Sequence, residues 1–328
     1  MSWMESTVAR WHVQGWNVAF RDGFVVFDDR ILNEQIIRQL PRCPDRVVLG
    51  SSRCMQLRRE YFPGEQFFNH AMRRAVLEDQ VALWQLYRRR GWRPKRVMIG
   101  VDAWLLDGSY WKEYWQVLRP AFAEIQRDWK LPPPAAVGSS QGASSGNGIP
   151  GINRWKRLLA AGTAGAGIFF FKTRRDGLPE LVRRSDGSVS YHAAFRERPA
   201  ADVAATIQKS VAFSKHPVSP EMVGLLERFL ERLRAEGVAV SFVIPPYHPA
   251  FYRLAGKNAS GERIEGYDHY MAGLDEVERT IRGIAGKISG KVIGGFDPFK
   301  VGAGDDEFFD WMHPKPPVFE RKLLGSES

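Results

Sequence analysis

Short apolar runs closing on small-residue turns alternate along this chain with amphipathic stretches of helical spacing. That alternation is the pattern of a parallel sheet covered by helices on both faces, and it places the chain in the α/β class. The clearest run, Arg46-Val47-Val48-Leu49-Gly50, reads as a buried parallel strand. Gln66–Asn69 reads as a short second strand and Arg96–Val101 as a third. Between them a helix spans about Leu77 to Arg90, and Gly91 stands where a helix-ending glycine belongs. The same grammar returns late in the chain, where Ser219 opens a helix whose apolar stripe includes Val223, Leu226, Phe229, Leu230 and Leu233. Gly237 ends it, Val238–Ile244 forms a strand stopped by Pro245-Pro246, a helix covers about Tyr267 to Ala285, and Lys291–Ile293 makes a last short strand.

Between these halves the chain changes character. Leu131 to Gly151 holds four prolines among many Ser and Gly residues, Gly162 to Gly167 is rich in Gly and Ala, and Phe169-Phe170-Phe171 follows. With 328 residues the length suits one domain carrying an insertion. The core is expected over about 30–129 and 219–324, with 130–218 as an insertion containing a flexible Pro/Gly/Ser-rich loop.

A content of 44% hydrophobic and 26% charged residues excludes disorder throughout, and no apolar run is long enough to span a bilayer. The N-terminal residues show no apolar h-region or cleavage site, so no export signal is expected in the chain as written. The formal charge of +10 suits a polyanionic polysaccharide, a nucleic acid or anionic lipid, and equally an unspecialised basic surface. Cys43 and Cys54 are separated by a strand that holds them apart, which excludes a disulfide scaffold and a cysteine-rich zinc site.

Gly50-Ser51-Ser52-Arg53 follows the first strand directly, at the sheet edge where such folds bind ligands. A presented nucleophile, an anion-binding turn and a plain loop all fit this position. Near the other end stands Asp310-Trp311-Met312-His313, whose spacing lets one turn supply a base and the carboxylate that orients it. Serine needs such help, because its hydroxyl is a poor nucleophile until a neutral imidazole accepts its proton.

With these blocks the chain resembles the SGNH, or GDSL-like, hydrolase superfamily, which places its serine after the first strand and a D-x-x-H pair near the end. Leu49-Gly50-Ser51-Ser52-Arg53, Phe68-Asn69-His70, Leu77-Glu78-Asp79 and Ile244-Pro245-Pro246-Tyr247-His248-Pro249 are similar, more narrowly, to exported SGNH-like proteins linked to cell-surface polysaccharide O-acylation. The resemblance covers roughly residues 30–106 and 219–324. It implies a three-layer, flavodoxin-like parallel sheet and a serine esterase or O-acyltransferase acting on an acylated carbohydrate. It also implies no cofactor and an extracytoplasmic or periplasmic location. Ser52 is implicated as nucleophile, His313 as base and Asp310 as its orienting acid.

Two departures fall on the oxyanion hole. The glycine block reads Asn69-His70-Ala71-Met72-Arg73-Arg74 without a glycine, and the asparagine block reads Gly100-Val101-Asp102, where an ionised Asp102 would repel an oxyanion. Arg73 or Arg74 pairing with Asp102 or donating to the oxyanion would compensate, and Asn69 is a further donor. The rival expectation is a catalytically weak carbohydrate-binding or assembly protein that keeps the fold.

His248 sits near the same sheet edge, as a substrate contact or as a loop histidine with a structural hydrogen bond, and His70 presents the same choice. Trp104, Tyr110, Trp111, Tyr114 and Trp115 suit a carbohydrate groove or, at helical spacing, a helix core. The remaining histidines show no metal-ligand spacing, so no metal is expected. Arg88 to Arg96 carries six basic residues in nine at a helix end, a solvated face or a contact with an anionic membrane surface. No nucleic-acid-binding motif accompanies it.

Overall fold

The computed structural model describes residues 3–21, 27–110, 113–132, 170–210, 216–258 and 260–325. Helix α1 (Trp3–Val13) and strand β1 (Asn17–Phe20) lead into α2 (Asp29–Gln39), capped by Asp28, whose carboxylate accepts from the Arg30 N–H. Then come β2 (Arg46–Leu49), β3 (Phe67–Asn69), α3 (Leu77–Arg89), β4 (Arg96–Gly100) and α4 (Arg119–Trp129). Strands β5 (Phe170–Thr173), β6 (Leu181–Arg183) and β7 (Val189–Ser190) precede α5 (Ala193–Arg196) and α6 (Ala200–Ser210). The chain continues through α7 (Pro220–Ala235), β8 (Ala239–Ile244), α8 (Pro249–Arg253), α9 (Tyr267–Lys287) and β9 (Lys291–Gly294).

The main sheet has five strands in the order β3-β2-β4-β8-β9, and every pairing in it is parallel. Counted within the sheet, the order is that of the flavodoxin-like doubly wound arrangement. Because side chains alternate along a strand, each strand feeds two cores. Val47, Leu49, Val97, Ile99, Phe242 and Ile244 pack with apolar side chains of α2, α3, α7 and α9. Val48, Met98, Val243 and Ile293 face the other way, onto Leu57, Phe62 and the helical segment Val318–Leu324. Among the described residues that second face therefore has the thinner cover.

Close approach of β2 and β4 sets the position of the serine turn. A Cβ on Gly100 would lie 2.6 Å from Cys54 Sγ and 3.0 Å from Gly50 Cα, so only a glycine lets the two strand ends pass. Cys54 is buried there, and both cysteines are free.

A second sheet, β5-β1-β6-β7, is antiparallel and joins the N-terminal strand to residues of the expected insertion. Sequence reasoning began the core near residue 30 and left 130–218 without a structural role. From Phe170 onward that segment instead pairs with residues 17–20, because β1 needs partners for its backbone on both edges. The hairpin of β6 and β7 is fastened to β3. The Asn69 N–H donates to the Asp186 carbonyl at 2.7 Å, and a Cβ on Gly187 would sit 2.0 Å from the Asn69 carbonyl oxygen. The Pro/Gly/Ser-rich loop of Leu131 to Gly151 and the run Gly162 to Gly167 lie, from residue 133 onward, outside the described residues.

Candidate active site

Past Leu49 the chain makes a short helical turn, Ser52–Cys54, capped by Ser51 Oγ, which accepts from the Arg53 N–H at 3.2 Å. The turn presents Ser52 at the C-terminal edge of the sheet. His313 arrives on the loop after β9, which closes on itself through a Phe309 N–H to His313 carbonyl bond of 2.9 Å.

Ser52 Oγ lies 2.9 Å from His313 Nε2, and His313 Nδ1 lies 2.8 Å from Asp310 Oδ2. The other carboxylate oxygen of Asp310 accepts from the N–H groups of Met312 and His313, each at 2.8 Å. Burial opposes the Asp310 charge, but His313 and those two N–H groups outweigh it and hold the carboxyl down to about 2. An ionised carboxylate only accepts, so the neutral imidazole that acts as a base carries its proton on Nδ1 and turns the Nε2 lone pair to the Ser52 hydroxyl. This geometry suits general-base activation of a serine.

The buried Arg53 ties this site to the sheet. Its Nε donates to the Met312 carbonyl at 3.0 Å and its Nη2 to the carbonyls of Pro245 and Pro246, the latter at 3.1 Å. Its Nη1 lies 3.5 Å from Asp102 Oδ1, and its guanidinium carbon stands 4.0 Å from the centroid of the Tyr247 ring. One cation thus joins the ends of β2, β4 and β8 to the loop that carries His313.

The five proposed oxyanion and substrate residues are placed differently from the serine, acid and base, and none of them lines the cavity at Ser52. Asn69 is corrected as an oxyanion donor: its amide N–H groups go to the carbonyls of Cys54 and Leu57, each at 2.9 Å, and its oxygen accepts from the Ala71 N–H at 2.8 Å. Asp102 pairs with Arg53 rather than with Arg73 or Arg74. Burial raises the Asp102 carboxyl, while Arg53 opposes that rise. Arg74, at a positive φ of 56°, donates to the Tyr114 hydroxyl, and its carbonyl accepts from Arg30 at 3.1 Å. Trp104 belongs to the core, with its ring N–H bonded to the Ala75 carbonyl at 2.9 Å, and Trp115 is buried too. Trp111 lies outside the described residues.

His248 is buried and structural: its Nδ1 accepts from the Ala250 N–H at 2.9 Å, capping α8, while its own N–H holds the Trp311 carbonyl at 3.0 Å. Burial lowers its basicity. His70 is equally enclosed, with Nδ1 2.9 Å from Asn33 Oδ1 and Nε2 2.6 Å from the Tyr87 hydroxyl. Burial and Arg183 push its pKa down to about 3, so the ring is neutral.

A cavity of about 220 Å³ has Ser52 and His313 in its wall. Phe20, Phe27, Met55, Leu181, Val189, Tyr191 and Phe195 make most of the remainder, joined by Asp29, Arg73 and Arg183. The three charges are paired among themselves: Asp29 Oδ2 meets Arg73 Nε at 2.9 Å, and Asp29 Oδ1 meets Arg183 Nη1 at 2.8 Å. Burial works against the Asp29 charge, and the two arginines hold its carboxyl down to about 2 nonetheless. The Arg73 side chain remains 45% exposed. Tyr191 meets the His313 ring edge-on, with centroids 6.1 Å apart.

Sequence reasoning missed this wall, which comes from the N-terminal segment and from β6 through α5. One signal was present: Asp186-Gly187 between Leu181-Val182-Arg183 and Val189-Ser190 is the short-range mark of a hairpin. Among the described residues no cluster of His, Cys, Asp and Glu could hold a metal ion, and no helix is long and apolar enough to cross a membrane. No family model, no curated protein and no solved structure matches this chain.

Proposed function

We propose that this chain is an SGNH-like serine esterase or O-acyltransferase acting on an acylated carbohydrate. The observation that carries this is the continuous relay from Ser52 through His313 to Asp310, at 2.9 and 2.8 Å. As Ser52 Oγ bonds to the ester carbonyl carbon, its proton passes to His313 Nε2. Collapse breaks the bond to the alcohol, and His313 returns the proton to the departing oxygen. Water or a sugar hydroxyl then attacks the acyl-serine by the same steps in reverse. Arg73 is the proposed donor to the oxyanion, since it lines the same cavity as Ser52 and, with Nε bonded to Asp29 and Nη2 to the Phe27 carbonyl, keeps Nη1 for it.

One observation favours a second reading, a carbohydrate-binding or assembly protein without turnover. The Asn69 amide is fully engaged, and the Arg73 backbone N–H is committed to Asp29 at 3.0 Å. Turnover of p-nitrophenyl butyrate by the wild type, Ser52→Ala and His313→Ala separates the two. Loss of about 10³-fold or more in both variants supports the enzyme, and acceleration by added saccharide marks a transferase. Equal rates in all three support the second reading.

A further inference from the structure

The cavity beside Ser52 is much larger than an acetyl group requires. We propose that it is an acyl-binding pocket for a linear or aromatic apolar acyl group of about six to eight carbons, an inference that rests on the serine chemistry above. Cavities of about 150 Å³ with apolar walls hold a six-carbon ring. At about 220 Å³ this one has room for somewhat more.

Its lining selects which part of an ester enters. Ser52 and His313 belong to the wall itself, so both arms of an ester under attack adjoin the cavity, and of the two an apolar acyl chain matches the lining better than a sugar does. Most of the lining is apolar, from Phe20, Phe27, Met55, Leu181, Val189 and Phe195, and its charged residues Asp29, Arg73 and Arg183 are paired with one another rather than set out for the hydroxyls of a sugar ring. Asp29 is neutralised by Arg73 and Arg183 within the wall, so an apolar chain can pass without stranding its charge. Phe20, Leu181, Arg183 and Val189 come from β1, β6 and β7, so the second sheet contributes a side of the pocket to the serine edge of the first.

The test is a series of p-nitrophenyl esters from acetate to dodecanoate, with the leaving group constant. Ser52-dependent kcat/KM is expected to rise about 4-fold per methylene to a maximum near hexanoate or octanoate and then fall. Leu181→Trp should lower the octanoate-to-acetate ratio at least 10-fold, while Phe195→Ala should move the maximum to longer chains. Opposite shifts cannot arise from partial unfolding. Ser52-dependent turnover that is best with acetate would overturn the pocket and leave the serine chemistry standing. If no ester is turned over, calorimetric titration of Ser52→Ala with octanoate and with acetate still decides. Preference for octanoate that Leu181→Trp removes supports the pocket although the serine chemistry has failed, and equal or no binding of the two overturns it.

Discussion

The Nε–H of Arg53 donates to the carbonyl of Met312 at 3.0 Å, so the residue after the proposed nucleophile holds the residue before its base. The distance from Ser52 to His313 is thereby set by a buried cation rather than by the loop alone. Arg53→Leu would leave Asp102 buried without its partner and is expected to cost about 3–5 kcal/mol of stability. Arg53→Lys keeps the charge but cannot reproduce the fork. It should fold, and lower kcat about 10–100-fold with KM little changed, as expected of a positioning residue. Steady-state kinetics beside circular dichroism checks this.

Asp310→Asn tests the tautomer. An amide group facing His313 Nδ1 donates to it, which moves the ring proton to Nε2 and removes the acceptor for Ser52. Ester turnover should fall about 10³–10⁴-fold with the fold intact. The same variant should alter acid stability. The Asp310 carboxyl is held down to about 2, so its stabilisation is complete above the ordinary carboxylate range and is lost as pH falls toward that value. Chemical denaturation between pH 5 and pH 2 should show a shallower loss in Asp310→Asn than in the wild type.

Arg73→Ala should reduce kcat about 10²–10³-fold if its guanidinium meets the developing oxyanion, with partial recovery in Arg73→Lys. Asp29 keeps Arg183 as a partner at 2.8 Å, so the cavity wall should persist in both variants. Unchanged kcat in Arg73→Ala would remove Arg73 from the chemistry.

His70 makes a stability prediction that is independent of function. Its folded pKa of about 3 lies below the ordinary 6.5, so over that interval the unfolded chain binds a proton that the folded chain does not. Stability should therefore rise with pH from about 3 to 6.5, by up to about 1.4 kcal/mol per unit for this one proton. His12, pushed down to about 3 by burial and Arg183, adds a slope of the same sign. His70→Gln should flatten the dependence, as measured by denaturant midpoints across that range.

The parallel sheet was legible because β2, β4 and β8 are continuous apolar runs, the pattern that burial on both faces demands. Ser52 and the Asp310–His313 pair were legible because one follows a strand and the others share a turn. Asn69 and Asp102 misled for a common reason: position in a motif says which edge a side chain occupies but not which partner takes its hydrogen bonds. Cys54 and Leu57 claim the first, and Arg53 claims the second. The cavity was hidden because its walls come from β1 and from β6 to α5, far apart in sequence, and short antiparallel strands carry little periodicity. The Asp186-Gly187 turn was the one local mark of that sheet.

The most direct measurement is labelling with an alkyl fluorophosphonate followed by peptide mapping, with wild type, Ser52→Ala and His313→Ala side by side. A single adduct on Ser52 is expected in the wild type, absent from Ser52→Ala and slowed about 10³-fold or more in His313→Ala. An unlabelled Ser52, or an adduct that forms equally fast without His313, would contradict the claim that the relay activates this serine.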